Sequence, residues 1–483
     1  MPRDQVTGDR TTDQTADQLE IAVVGTGIAG MAAAWLLSHR HRVTVYEQAP
    51  RIGGHSHTIE ATRTYRDGTA TAIPVDTGFI VYNDRTYPNL VALFRHLDVP
   101  TKPSEMSFAV SLGNGALEYG GDEKPHLLFA QPRNLFRPRF WRMIRDLLRF
   151  YRDAPADLAW LQDGLLDLGS YLAQRGYGAP FIEDHLLPMA AAVWSTPTIE
   201  VRDYPAAAFI RFCDNHGLLR ITDRPQWRTV DGGSRAYVQR LTARYADRLR
   251  PGRGVVAVRR DADGVELRDT AGEVGRFDHV VIAAHADEAL SMLEDPSDAE
   301  ATLLGAFRYS NNRTVLHRDP ALMPRRRRIW SSWNYIGGAP GEGPCVTYWM
   351  NRLQGLSGED LFVTLNPVHP PAADSVISSE ICTHPLFDVA AARAQRELWS
   401  LQGQRRTWFC GAHFGAGFHE DGLQAGLAVA EQLGGVRRPW QVPNESGRIH
   451  LRPVSSISPR VAPVMAGLDP AIYSGTVLAG MAG

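Results

Sequence analysis

Residues 21–30 read Ile21-Ala22-Val23-Val24-Gly25-Thr26-Gly27-Ile28-Ala29-Gly30, and their reading decides the fold. The first four are a short apolar run, the mark of a strand buried on both faces of a parallel sheet. Gly-x-Gly-x-x-Gly follows at once and opens a stretch that reads as a helix over 28–39. In that setting Gly25 permits a tight turn, Gly27 lets backbone approach a pyrophosphate, and Gly30 lets the helix pack on the strand. The helix N-terminus, with Ile28 and Ala29, offers free N–H groups and a positive dipole end to phosphates. Arg42 to Glu47 is β-branched and alternating, a second strand. Strand, glycine turn, helix and strand form a βαβ unit, so the expected class is α/β with a Rossmann-type dinucleotide-binding domain.

Glu47 ends the second strand, where a carboxylate accepts hydrogen bonds from ribose hydroxyls and repels a 2′-phosphate. The plainer reading is a solvated strand end. Arg51-Ile52-Gly53-Gly54 then completes Glu-x-x-x-Arg-x-Gly-Gly. Here the chain resembles the flavin-containing amine oxidase and phytoene desaturase superfamily. The resemblance implies FAD, with Gln48, Arg51, Gly53 and Gly54 around its diphosphate and ribityl chain. His55 would approach the phosphates, carry a covalent flavin link, or make a plain loop contact. Val75-Asp76-Thr77-Gly78, with Phe79 behind it, resembles the next family segment, which returns near the flavin ring. Asp231-Gly232-Gly233 resembles the glycine pair before a helix, and Val255 falls where the family places a backbone contact to adenine. Phe409-Cys410-Gly411, Gly417-Phe418-His419-Glu420-Asp421-Gly422 and Ala425-Gly426 resemble the C-terminal flavin segment. More closely, Asp76 to Ile80, Arg137 to Arg142 and Asn215 to Leu219 resemble a bacterial subfamily of NAD/FAD-binding oxidoreductases. Its members are often encoded beside cyclopropane-fatty-acid-type methyltransferases, which implies lipid-acyl chemistry.

Two departures shape the expected reaction. Many amine oxidases hold a lysine near the flavin N5, yet lysine occurs here only at Lys102 and Lys124, and every other basic residue is arginine. The C-terminal member of the family's aromatic pair is usually tyrosine, and Phe418 stands there. Both fit a hydrocarbon better than an amine. The expectation is therefore an FAD-dependent oxidoreductase that desaturates a lipid or fatty-acyl substrate by hydride transfer to flavin N5. Amine oxidation, non-redox double-bond isomerisation and a regulatory protein without turnover are the alternatives. No second Gly-x-Gly-x-x-Gly exists, so a nicotinamide domain is not expected. Oxygen, a quinone and a partner protein all stay open as electron acceptors.

Histidine titrates near neutrality, which makes His185, His216, His413 and His419 candidate acid–base groups. His419, with Phe418, is placed best for catalysis; the alternative is an imidazole that merely packs beside the flavin. The flavin ring itself can take a hydride, so no protein base is required. His55 and His57 lack a third ligand, and no metal is expected. Trp330, Trp333, Tyr335, Tyr348 and Trp349 line an apolar pocket or belong to the core. Residues 137–152 alternate arginines with apolar residues at helical spacing, which fits a solvated helix or one lying on an anionic membrane.

The 483 residues are 44% apolar and 22% charged, enough for two domains of ordinary globular usage. A formal charge of −2 gives no reason to expect nucleic acid. Cys213, Cys345, Cys382 and Cys410 lie far apart, as reduced cytoplasmic thiols would. Met1 to Gln18 lacks the apolar stretch of a signal peptide, and glycines break the apolar run 21–37. The expected location is cytoplasmic, with peripheral contact to the inner membrane face if the substrate is a lipid. An FAD domain is expected from 19–105, 229–290 and 400–434, and a substrate domain from 106–228 and 291–399. Residues 1–18 and the proline-rich 435–483 are expected to be disordered tails.

Overall fold

The computed structural model describes residues 18–64, 69–121, 125–161, 166–194, 200–220, 222–337 and 345–452. Residues 1–17 and 453–483 lie outside them, and with them most of the expected N-terminal tail and the far part of the C-terminal one.

Glu20–Val24 and Arg42–Glu47 pair in parallel, and the helix Ile28–Leu37 between them is buried along its whole length. That is why its sequence is apolar all round rather than on one stripe. His279–Ile282 pairs on the other side of Glu20–Val24, Thr407–Phe409 lies beyond it, and Leu249–Pro251 flanks Arg42–Glu47. This five-stranded sheet is parallel throughout. Val255–Arg260, Val265–Asp269 and Val274–Phe277 form a separate antiparallel sheet. The helix His419–Gly434 lies against Ile28–Leu37, and the contact is glycine-tight. A Cβ at Gly426 would sit 2.1 Å from the Ala29 carbonyl oxygen.

A seven-stranded sheet forms the second layer. Its order is Val376–Leu386, Arg308–His317, Phe362–Leu365, Cys345–Trp349, Trp333–Gly337, Phe108–Leu112, Leu117–Gly120. Trp333–Gly337 runs parallel to Phe108–Leu112, which joins two distant stretches of chain. The helices Pro138–Asp157, Leu187–Trp194 and Ala206–Asn215 pack nearby, with a π-helical turn at Ile182–Leu186.

Asp76 ties the layers together. Its carboxylate accepts from the Ser234 N–H at 2.9 and 3.0 Å, from the Thr58 hydroxyl at 2.6 Å and from Gln354 Nε2 at 3.1 Å. The Asp231-Gly232-Gly233 turn and the helix Arg235–Thr242 thereby dock on Val75-Asp76-Thr77-Gly78. Gly233 has φ +86°, and a Cβ there would meet Thr58 Cγ2 at 2.5 Å.

The expectation of a disordered tail from 435 is corrected for residues 435–452. Arg438 has a fully buried side chain, 2.8 Å from Glu431 and 2.9 Å from Asn89 Oδ1. Trp440 stacks on Trp35 at 5.8 Å, and Arg448 reaches buried Asp421 at 2.6 Å. Proline density marks a segment that is not helical; it does not say whether partners exist elsewhere for its arginines and tryptophan.

Candidate active site

One cavity of about 1310 Å³ runs from the glycine turn to the helices of the second layer. Every cofactor-contact candidate lines it except Gly30 and Gly53. Those two act behind the wall. A Cβ at Gly30 would stand 2.1 Å from Gly25 O, and one at Gly53 2.6 Å from Ser56 O. For Gly53 the expectation of a lining role is therefore corrected. It has φ +113°, and its N–H bonds Thr26 Oγ1 at 3.1 Å. The Gly25-Thr26-Gly27 turn and the Arg51-Ile52-Gly53-Gly54 turn are thus one packed unit, with Gly54 pressed so closely on Gly27 that a Cβ would lie 2.9 Å from its Cα.

The cofactor end has the shape that a dinucleotide needs. No side chain caps the helix Ile28–Leu37, and a Cβ on Gly27 would meet nothing within 4 Å. First-turn N–H groups and an open glycine face suit a pyrophosphate. Glu47 is buried, and its carboxylate accepts from Thr26 N at 2.9 Å, Thr26 Oγ1 at 2.5 Å and Ala49 N at 2.9 Å. Beyond ending a strand, it fixes the Gly25-Thr26-Gly27 turn. Gln48, Gly254, Val255 and Glu288 continue the wall from there, and Thr77, Gly78, Phe79, Gly411, Gly417, Phe418 and His419 continue it toward the second layer.

His419 is held differently from a general base. Its ring stacks on Phe79 at 3.7 Å and 16°, and its Nε2 lies 3.0 Å from Ser56 Oγ and 3.1 Å from Tyr237 OH. Burial, then His55, pushes its pKa down to about 3. In this geometry the imidazole packs flat on Phe79 and its Nε2 faces two hydroxyls. Phe418 stacks on Phe212 at 4.6 Å and sits 6.4 Å from Trp194.

His185, His216 and His413 on the wall are neutral too. Burial pushes His185 to about 4 and His216 and His413 to about 3. Tyr119 donates its hydroxyl to the Asp184 carbonyl at 2.7 Å, so it must accept from His185 Nδ1 at 3.0 Å. That assigns the proton to Nδ1 and leaves a lone pair on His185 Nε2. The same logic holds for His216, whose Nδ1 faces the Phe212 carbonyl at 2.9 Å. Neither Nε2 has a partner among the described residues.

Several wall residues escaped the sequence. His285, Tyr309, Glu380 and His384 all line the cavity. Glu380 accepts from His57 Nδ1 at 3.0 Å and from Thr77 Oγ1 at 3.0 Å, and Arg51 lies 3.7 Å away. His55 sits 5.4 Å from His384 and 6.4 Å from His285, ring to ring. Burial, with mutual repulsion among these rings, lowers His55 to about 4 and His384 to about 3. His57 and Glu380 are 323 residues apart, and no local spacing signals such a pair. Of the aromatic group, Trp333 and Tyr348 line the cavity, while Trp330 and Trp349 pack on Phe362 or its neighbours. Among the described residues no group of three His, Cys, Asp or Glu side chains is placed to hold a metal. None of their helices is long and apolar enough to cross a membrane.

Comparison with known proteins places the fold. A fatty acid isomerase from P. acnes that produces CLA superposes with TM-score 0.62 at 15% identity, covering 88% of this chain and 99% of that one. Cyclohexylamine oxidase from Brevibacterium oxydans IH-35A gives TM-score 0.59 at 17% identity, covering 86% and 99%. At such identities the likeness is one of fold. A carotenoid phi-ring synthase from Streptomyces griseus is 44% identical over 85 residues, which is 17% of this chain and 16% of that relative's length. The sequence pattern of flavin containing amine oxidoreductases matches residues 28–315, more than half of the chain. The chain therefore belongs to the flavin containing amine oxidoreductase family and is an FAD-dependent oxidoreductase.

Proposed function

We propose that this enzyme dehydrogenates a lipid or fatty-acyl substrate, making a C=C bond. The carrying observation is the half of the cavity remote from the glycine turn. Its wall includes Met106, Phe108, Ile144, Leu147, Met189 and Val193, and Trp194, Phe212 and Phe418 stack beside it. Such a wall receives a hydrocarbon chain by excluding water from it. Among the described residues, an ammonium group would find no carboxylate there without a partner. Glu105 is paired with Arg352, Glu380 with His57, and Glu288 accepts from the His285 N–H at 3.2 Å. The names of the fatty acid isomerase and the carotenoid phi-ring synthase support an apolar substrate.

Gly25, Gly27, Ile28, Ala29 and Gly54 would hold the FAD diphosphate, Glu47 and Gln48 its ribose, Val255 its adenine, and Thr77 to Phe79 with Gly411 and Gly417 to His419 its ring. Bound FAD would supply a two-electron acceptor for the hydride, and the proton lost from the neighbouring carbon would leave to solvent. The chain's own residues bind and orient the acyl chain and exclude water. Neutral histidines on the wall add no cation that would attract a competing anion. A water-insoluble substrate also implies contact with a membrane surface.

The test is anaerobic titration of the holoenzyme, followed at the flavin absorption band, with methyl-branched or monounsaturated acyl phospholipid and with a panel of amines. Bleaching by the lipid alone, with a new double bond seen by mass spectrometry, is expected. Bleaching by an amine instead would establish amine oxidation. A shifted double bond without net bleaching would establish isomerisation.

A further inference from the structure

The helix Pro138–Asp157 has two apolar sides. Ile144, Leu147 and Tyr151 face inward and form cavity wall. Trp141, Arg145, Leu148 and Arg152 follow one another at spacings of four, three and four, which puts them on one stripe. That stripe faces outward. Trp141 is 46% exposed and Leu148 48%, with the Arg145 and Arg152 side chains 72% and 75% exposed. The 3-10 turn Pro132–Phe136 extends the stripe at the helix N-terminus, where Leu135 is 45% exposed and Phe136 85%. These side chains are displayed in a fixed arrangement. Trp141 donates its indole N–H to the Leu135 carbonyl at 2.8 Å and packs on Phe129 at 5.6 Å.

A lone exposed apolar residue is ordinary; four together, with an aromatic at each of two positions, mark a contact surface. Charge says what it contacts. Arg133, Arg137 and Arg142 border the patch, and no carboxylate pairs with any of them among the described residues; Arg133 reaches the Gly115 and Ala116 carbonyls, and Arg137 the Ala116 carbonyl and the Asn134 side chain. A rim of arginine around Trp, Phe and Leu is the composition of a segment that lies in a lipid interface. Leu148 joins the two sides, since it is half exposed on the stripe and also lines the cavity.

We propose that Pro132–Phe136 and the outer stripe of Pro138–Asp157 dock on an anionic lipid surface, so that an acyl chain passes into the cavity beside Leu148 without crossing water. The docking half stands on the exposed surface alone. The delivery half rests on the lipid-substrate reading above.

Co-sedimentation of the holoenzyme with phosphatidylcholine vesicles, with and without added phosphatidylglycerol, tests the surface. Binding to the anionic vesicles is expected, and it should weaken with salt. Phe136→Ser with Trp141→Ser should reduce partition by at least about tenfold, because each removes an exposed aromatic that would insert among the lipids. Arg142→Gln should cost roughly fivefold on anionic vesicles and nothing on neutral ones. Val274→Ser, at an exposed valine on the antiparallel sheet, should leave partition unchanged. Failure of the wild type to sediment, or equal partition of the double variant, overturns the proposal. So does a dimer that the double variant converts to monomer, which would make a second copy the occupant. The two readings fail separately. Vesicle binding without lipid turnover sinks the substrate and keeps the surface; turnover of detergent-dispersed lipid without vesicle binding does the reverse.

Discussion

Glu47 shows how a single side chain carries both fold and site. Read as sequence, it is a carboxylate at the right distance from a glycine turn. In the structure the same carboxylate accepts three hydrogen bonds from its own chain, two of them from Thr26 inside the turn. Glu47→Gln keeps the size but gives up an anionic acceptor and forces an NH2 toward a donor. Hydrogen bonds to charged groups contribute about 1.5–3 kcal/mol, so FAD binding to apoprotein should weaken roughly ten- to hundredfold. Titration of apoprotein with FAD, followed by quenching of flavin fluorescence, measures it; a wild-type affinity would remove Glu47 from the cofactor site. The glycine turn and this carboxylate were readable because their pattern is local, confined to a turn and the strand after it. His419 was not readable in the same way. Its neighbour in sequence pointed to the flavin segment, but its state depends on Phe79, Ser56 and Tyr237, which approach from three other stretches of chain.

At the scale of elements, local patterning located strands and helices, and long-range pairing decided what they do. The short apolar run at 21–24 was legible as a strand because a parallel sheet buries both faces. That Trp333–Gly337 pairs with Phe108–Leu112 was not legible, since nothing in either strand names its partner. The segment 435–452 was misjudged for the same reason. Arg438 and Arg448 are anchors only because Glu431 and the buried Asp421 of the preceding helix lie beneath them. Asp421 has a fully buried side chain, and burial raises its pKa while Arg448 pulls it back. Arg448→Met should therefore strand a buried carboxylate, at a cost of about 3–5 kcal/mol. The expected result is a lower thermal midpoint that Asp421→Asn partly restores in the same chain. An unchanged midpoint in Arg448→Met would mean that the strap is not fastened there.

For the whole molecule, the neutral histidines set how stability responds to acid. His185, His216, His317 and His413 are each at most 5% exposed. His317 is the clearest, because it lies in the seven-stranded sheet away from the cavity. Its Nε2 lies 2.7 Å from Thr364 Oγ1, and its Nδ1 accepts from the Asp319 N–H at 3.1 Å. Burial lowers its pKa to about 4, against the ordinary 6.5 of a histidine. A depressed folded pKa means that the unfolded chain takes up the proton first as pH falls. The stability that neutral His317 contributes is therefore complete above pH 6.5 and is lost between 6.5 and about 4. Over that window each such histidine steepens the loss by about 1.4 kcal/mol per pH unit. Buried carboxyls shifted upward, such as Asp76 and Glu420, act with the opposite sign, so total stability does not isolate the effect. A difference does. His317→Gln retains a donor and an acceptor but binds no proton, and every other group cancels when it is compared with the wild type. Urea unfolding at a series of pH values from 7.5 to 4.5 should show the variant less stable at neutrality and closing on the wild type as pH falls. Parallel curves would mean that His317 carries the same charge folded and unfolded.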